Sequence, residues 1–135
     1  MASSALALEG IQVTFASPDG ARYTAVRDTT VRVAPGEFVS VVGPTGCGKS
    51  TLLNVAAGLL QPSSGRASVF GQALAGLNRK AGYLFPSEAL MPWRTALAHL
   101  TVGLGFRGVE KAQPEKQGAA LLQHVGLGGV GGWRS

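Results

Sequence analysis

Phe38-Val39-Ser40-Val41-Val42, then Gly43-Pro44-Thr45-Gly46-Cys47-Gly48-Lys49-Ser50, then Thr51 to Leu60 form the stretch on which the fold of this chain turns. The first part is a short, nearly continuous apolar run rich in β-branched residues, which predicts a buried parallel strand. The middle satisfies G-x-x-x-x-G-K-[ST], the phosphate-binding P-loop pattern. The last part predicts a helix from Lys49 to Leu60, stopped near Gln61-Pro62. A glycine-rich turn with a surface lysine would share the glycines. It would not need a strand before and a helix after, and the sequence predicts both. Each residue type has a physical reason. Phosphate oxygens need many donors at short range, and glycines let the backbone curl so that successive N–H groups point inward. The start of the helix adds unpaired N–H groups and the positive end of its dipole. Lys49 supplies a mobile cation for the β- and γ-phosphates, and the Ser50 hydroxyl is placed to ligate Mg²⁺.

Upstream of this stretch, residues 6–15 (Leu6, Leu8, Ile11, Val13, Phe15) alternate loosely, as a half-buried strand does. Ser17-Pro18-Asp19-Gly20 marks a turn, and residues 22–33 predict one or two more strands. Together they predict antiparallel β structure near the N-terminus. Pro35-Gly36 is a second turn. Downstream, Ser63-Ser64-Gly65 predicts a turn, Ala67–Phe70 a short strand, and Ala81–Phe85 another buried strand stopped by Pro86. Pro92-Trp93-Arg94-Thr95 opens a helix that runs through Leu100 or beyond. Gln113–Val125 carries Leu121, Leu122 and Val125 at helical spacing. Gly126–Ser135 is half glycine and is expected to be an unstructured, flexible tail.

The length of 135 residues suits one domain, and 45% apolar with 14% charged residues is a globular composition. Twelve Lys and Arg against seven Asp and Glu give a net charge of +5. The basic residues are scattered, with only Arg79-Lys80 adjacent, which favours a solvated surface excess and argues against a nucleic-acid partner. Cys47 is the single cysteine, so no internal disulfide forms, as in a reducing compartment. Met1–Gly10 lacks the basic and apolar parts of a secretory signal. Leu52–Leu60 is too short to span a bilayer and is broken by Asn54 and Gly58. A soluble protein is expected, or one held at a membrane only through a partner.

Glu37-Phe38, GPTGCGKSTLLNVAAGL at 43–59 and Pro62-Ser63-Ser64-Gly65 resemble ABC-transporter ATP-binding subunits. ALMPWRT at 89–95 is similar to the segment after the family's Q-loop in importers of the nitrate, sulfonate and taurine type. The resemblance runs from about Leu6 to Leu127. It implies an α/β fold, a P-loop NTPase with a RecA-like core and an N-terminal antiparallel β subdomain, here incomplete. On that pattern residues 6–95 hold the β subdomain and the P-loop core, 96–127 begin a helical subdomain, and 128–135 are tail. It implies ATP and Mg²⁺ as ligands. Gly43, Pro44, Thr45, Gly46, Cys47, Gly48, Lys49 and Ser50 would form the loop, with backbone donors from Gly46 and Gly48. Thr51 would bond the α-phosphate and Ser50 the metal. The family stacks adenine on an upstream aromatic; Phe15, in IQVTF, fits that place, with Tyr23 as the alternative. Cys47 would be a small space-filler. Expected partners are a membrane permease, contacted through the region around Trp93, a second ATPase subunit, and indirectly a solute-binding protein. The expected location is the cytoplasmic face of the plasma membrane, through the permease.

Two features depart from the family pattern. Pro86 stands where the family has its Q-loop glutamine, and proline offers neither a side-chain amide nor an N–H. His99 stands where many relatives have asparagine; His99 and His124 read as ordinary helix residues. The signature motif, Walker B strand, catalytic glutamate and switch histidine are not among these residues. The sequence agrees: a Walker B acid needs an Asp ending an apolar strand, and Asp19 and Asp28 both precede the loop. After Lys49 the carboxylates are Glu88, Glu110 and Glu115. The expectation is therefore a truncated ATPase subunit, with no catalytic residue of its own and weak hydrolysis alone. A frameshift, a premature stop or a fragmentary gene prediction would produce it. The alternatives are a non-enzymatic nucleotide-binding fragment or pseudogene product and, more distantly, another P-loop class such as a small kinase or GTPase.

Overall fold

The computed structural model describes residues 4–87, 90–108 and 112–134. Glu88, Ala89, Glu110, Lys111 and Ser135, which enter the sequence reading, lie outside them. The chain divides between Tyr83 and Leu84 into two compact units.

The first unit is built on a hairpin. Strand β1 (Leu6–Ala16) pairs antiparallel with β2 (Arg22–Val33), from Leu6 opposite Val33 to Ala16 opposite Arg22. The turn closes with Gly20 N–H on the Ser17 carbonyl at 2.9 Å. Strand β3 (Ser64–Val69) lies antiparallel on the other edge of β1, and β4 (Gln72–Ala73) pairs with β3, giving the order β2-β1-β3-β4. The register of β1 slips between Leu8 and Ile11, where Gly10 has φ 57°. A bulge of one residue changes which parity faces inward. Leu8 before it and Ile11 and Val13 after it are therefore all buried. This is why the alternation in the sequence skips at that point.

Helix α1 (Lys49–Ala56) sends Leu52 and Val55 into a core with Leu8, Ile11, Val13 and Val26. Each such burial contributes about 1.5–3 kcal/mol. The helix ends four residues before the predicted Leu60. Gly58 takes φ 71° and donates to Val55 O at 3.0 Å, while Leu59 N–H reaches back to Asn54 O at 2.9 Å. This pair of bonds is a Schellman stop, which a glycine in the left-handed region makes possible. The last turn is then gripped from outside. Asn78 donates its N–H to Ala57 O (2.9 Å) and its amide to Ala56 O (3.1 Å), and Tyr83 OH bonds Asn54 Oδ1 at 2.7 Å.

Three other expectations differ from this unit. Phe38–Val42 forms no strand: all five residues are exposed, Phe38 at 92% and Val42 at 87%. An apolar run becomes a strand only when another strand pairs with its backbone, and no described residue does so. Ala81–Phe85 likewise forms no strand. Ser64-Gly65 is not a turn but the start of β3, because it pairs with β1 from Gln12 opposite Ser64, and its glycine allows a close approach to the Gly10 backbone.

The second unit holds α2 (Ala96–Phe106) and α3 (Ala112–His124). Thr95 caps α2 by accepting from Ala98 N–H at 3.2 Å. The helices approach closely at Gly118, where a Cβ would meet Leu97 Cδ1 at 2.9 Å. The expected flexible tail is instead folded. Ala96 N–H donates to Trp133 O (2.8 Å), Leu97 N–H to Gly131 O (3.1 Å), and Thr95 bridges Arg134. The first N–H groups of a helix have no partner within it, and here carbonyls of the glycine-rich segment supply two. No described helix is long and apolar enough to cross a membrane.

Candidate functional site

The loop Gly43–Gly48 leads directly into α1. Gly46 (φ 80°) and Gly48 (φ 96°) both take left-handed backbone, which glycine adopts without penalty. Gly48 is tightly placed: a Cβ there would overlap the Ala25 carbonyl of β2. Gly46 is different, since a Cβ there would meet nothing within 4 Å. Cys47 Sγ lies against Gly43, where an added Cβ would approach it to 2.7 Å. The thiol fills the loop's side, and it is exposed.

Lys49 folds back over the loop. Its ammonium donates to Gly43 O and Pro44 O, both at 2.7 Å, and approaches Cys47 Sγ at 3.6 Å. Helix α1 starts on Gly48 with no side-chain cap and no acidic residue in its first turn. Its leading N–H groups and dipole therefore face no competing anion of the helix itself. Ser50, on the first turn, is exposed, and Thr51 is half-buried. These residues fit a polyphosphate with a cation: uncapped amides, one ammonium and an exposed hydroxyl converge on one loop. Among the described residues no group of three or more His, Cys, Asp or Glu side chains could hold a metal ion. A Mg²⁺ here would rest on Ser50, phosphate oxygens and water, the usual way this ion is held.

The two candidate aromatics stand together. Phe15 and Tyr23 are direct cross-strand partners at the turn end of the hairpin, 42% and 59% exposed. Opposed residues share a face of the sheet, so the pair forms one aromatic platform. Tyr23 reaches further, and its OH donates to Gly46 O at 3.2 Å. The sequence held no signal for that bond.

In the other unit Pro86 sits in an exposed bend and Trp93 in a turn, 70% exposed. His99 is held at both ring nitrogens. Met91 N–H donates to Nε2 at 2.7 Å, so the ring proton rests on Nδ1, 2.9 Å from Thr95 O. It staples residue 91 to the first turn of α2.

The ABC transporter family profile matches residues 26–132, which include the whole loop and α1. The chain belongs to the ABC transporter family. This ABC transporter chain is 42% identical to the taurine import ATP-binding protein TauB of Pseudomonas aeruginosa over 124 residues, covering 92% of this chain and 47% of that protein. It is 37% identical to the protein of the same name from Yersinia pestis, covering 78% and 41%, and 34% identical to that of Roseobacter denitrificans, covering 90% and 46%. It spans about half the length of these curated relatives or less. Its fold matches a dimeric ATP-binding cassette solved in a post-hydrolysis state with ADP and Pi, at TM-score 0.82 and 23% identity, covering 96% of this chain and 61% of that one. The fold is thus that of part of an ABC ATPase cassette, with the antiparallel β subdomain at its N-terminus and, among the described residues, without the two expected core strands.

Proposed function

We propose that this chain binds ATP with Mg²⁺ through Gly43–Thr51 and belongs to the ATP-binding subunit of a solute importer, of the kind that takes up taurine or a related sulfonate. The observation that carries the reading is the convergence of Lys49, the uncapped start of α1 and the exposed Ser50 on one glycine loop. Gly43, Pro44, Thr45, Gly46, Cys47 and Gly48 supply the loop backbone, Lys49 the charge, Ser50 the metal contact and Thr51 a bond to the α-phosphate. Phe15 stacks on adenine, supported by its place on the aromatic platform. Relatives named for taurine import support the solute class. The partners on this reading are a permease, met through the exposed Trp93, a second ATPase subunit and a solute-binding protein, with the chain on the inner face of the membrane.

These 135 residues by themselves bind nucleotide better than they turn it over. Phosphoryl transfer depends on positioning and charge, including an acid that holds the metal and a group that orients water. Both aspartates precede the loop, and Pro86 has no donor to offer. Titrating the purified chain with a fluorescent ATP analogue, with and without Mg²⁺, and assaying phosphate release in parallel tests this. Saturable Mg²⁺-enhanced binding with little release is expected. Absence of binding would refute the nucleotide reading, and rapid multiple turnover would refute the claim about hydrolysis.

A further inference from the structure

We infer that Tyr23 is a positioning residue for the phosphate loop, acting through its hydroxyl rather than as a surface for the base; this rests on the nucleotide-binding reading above. Gly46 needs such a restraint. It has left-handed backbone, no Cβ and open space beside it, so little beyond the Cys47 N–H bond to Pro44 O fixes its following peptide plane. Among the described residues, Tyr23 is the only side chain from outside residues 43–50 that hydrogen-bonds the loop.

The geometry says what the bond does. The Gly46 carbonyl and the Cys47 N–H belong to one trans peptide plane, so they point in opposite directions. The Tyr23 hydroxyl draws the carbonyl outward, toward β2. The Cys47 N–H points the other way and donates to Pro44 O at 3.3 Å, the oxygen that also accepts from Lys49, so the hydroxyl and this turn bond hold one peptide plane from its two ends. Reversing this plane would put a carbonyl oxygen where an anion needs a donor. The hydroxyl thus sets the polarity of one peptide in the cradle, while the neighbouring Phe15 is left for the base. The hairpin itself fixes Tyr23, since the residue pairs across from Phe15 near the closing turn.

Tyr23→Phe removes only the oxygen and keeps the ring. Two probes separate its roles: ATP, which carries base and phosphates, and inorganic tripolyphosphate, which carries phosphates alone. Loss of one neutral hydrogen bond predicts that Y23F weakens both by a similar factor, about two- to tenfold. Phe15→Ala weakens ATP and leaves tripolyphosphate unchanged. Amide exchange on the protein without nucleotide gives a second readout: Y23F speeds exchange at Gly46, Cys47 and Gly48 and leaves the β1–β3 ladder unaltered. Equal tripolyphosphate affinity in Y23F and the parent, or a loss for ATP alone, would overturn the proposal, as would unchanged loop exchange. If the parent chain binds neither probe, the nucleotide reading fails, and the exchange comparison still decides what Tyr23 does to the loop.

Discussion

Replacing each of two loop glycines by alanine separates backbone conformation from packing within one turn of chain. Gly46 and Gly48 have similar left-handed backbone, φ 80° and 96°. An L-residue in that region costs about 1–2 kcal/mol, and the stiffer unfolded chain returns about 0.4–1 kcal/mol. Gly46→Ala adds nothing else, because its Cβ meets open space. Its net destabilisation is therefore about 1 kcal/mol or less. Gly48→Ala carries the same conformational cost and drives a Cβ into the Ala25 carbonyl, with Val26 Cγ2 only 3.2 Å away. The obstacle is backbone of β2 beside the core residue Val26, so α1 must move off the sheet, and overpacking of this kind costs a further 1–3 kcal/mol or so. The expected total for G48A is about 1–4 kcal/mol, a large share of the roughly 5–15 kcal/mol that holds a domain together. Urea unfolding followed by far-UV circular dichroism measures both variants against the parent. A shift in midpoint for G48A no larger than that for G46A would refute the view that Gly48 is required by its contact with β2.

Lys49→Ala removes a charged donor from the loop; charge-assisted hydrogen bonds of about 1.5–3 kcal/mol predict a ten- to hundredfold loss of tripolyphosphate affinity by calorimetry. The Arg32 guanidinium, 2.6 Å from Glu9, holds that carboxyl below its usual range, first by hydrogen bond and then by charge, with a smaller pull from Arg66. A depressed carboxylate pKa gives stability that is present above the unfolded value near 4.5 and is lost as pH falls through the folded value. Glu9→Gln is therefore expected to be less stable than the parent near neutrality and equal to it in acid, by thermal melts across pH. The gap is small and salt-sensitive, because both side chains are more than a third exposed; a gap that widens in acid would contradict the assignment. His99→Ala leaves the Met91 N–H without its acceptor, a loss of about 1 kcal/mol that appears as faster amide exchange at Met91 with the α3 amides unchanged.

The sequence was most legible where local chemistry decides structure. The P-loop pattern, the Ser17–Gly20 turn, both hairpin strands and the Thr95 start of α2 follow from short-range rules and are all present in the fold. It was least legible where distant backbone decides. Gly65 looks like a turn residue, yet its glycine serves a close approach to Gly10 on another strand. Gly58, besides its local role as the left-handed stop of α1, runs against the backbone of Gly76, a second demand for glycine that spacing does not show. Val39, Val41 and Val42 have strand propensity, but propensity supplies no hydrogen-bond partner. At the site, residue types announced the donors, whereas the pairing of Tyr23 with Gly46 depends on how the hairpin end meets the loop, which spacing does not encode.

Helix α1 has mechanical consequences. Eight residues make a rod only about 12 Å long, too short to bend appreciably. One end carries Lys49 and Ser50, and the other is clasped by Asn78 and Tyr83 through the carbonyls of Ala56 and Ala57 and the side chain of Asn54. A short rod answers an axial push by translating, and here Leu52 and Val55, packed in the core, resist such a shift from residues 76–83. On the nucleotide reading proposed above, that clasp, set more than twenty residues away in the chain, holds the far end of the helix whose first turn would meet phosphate.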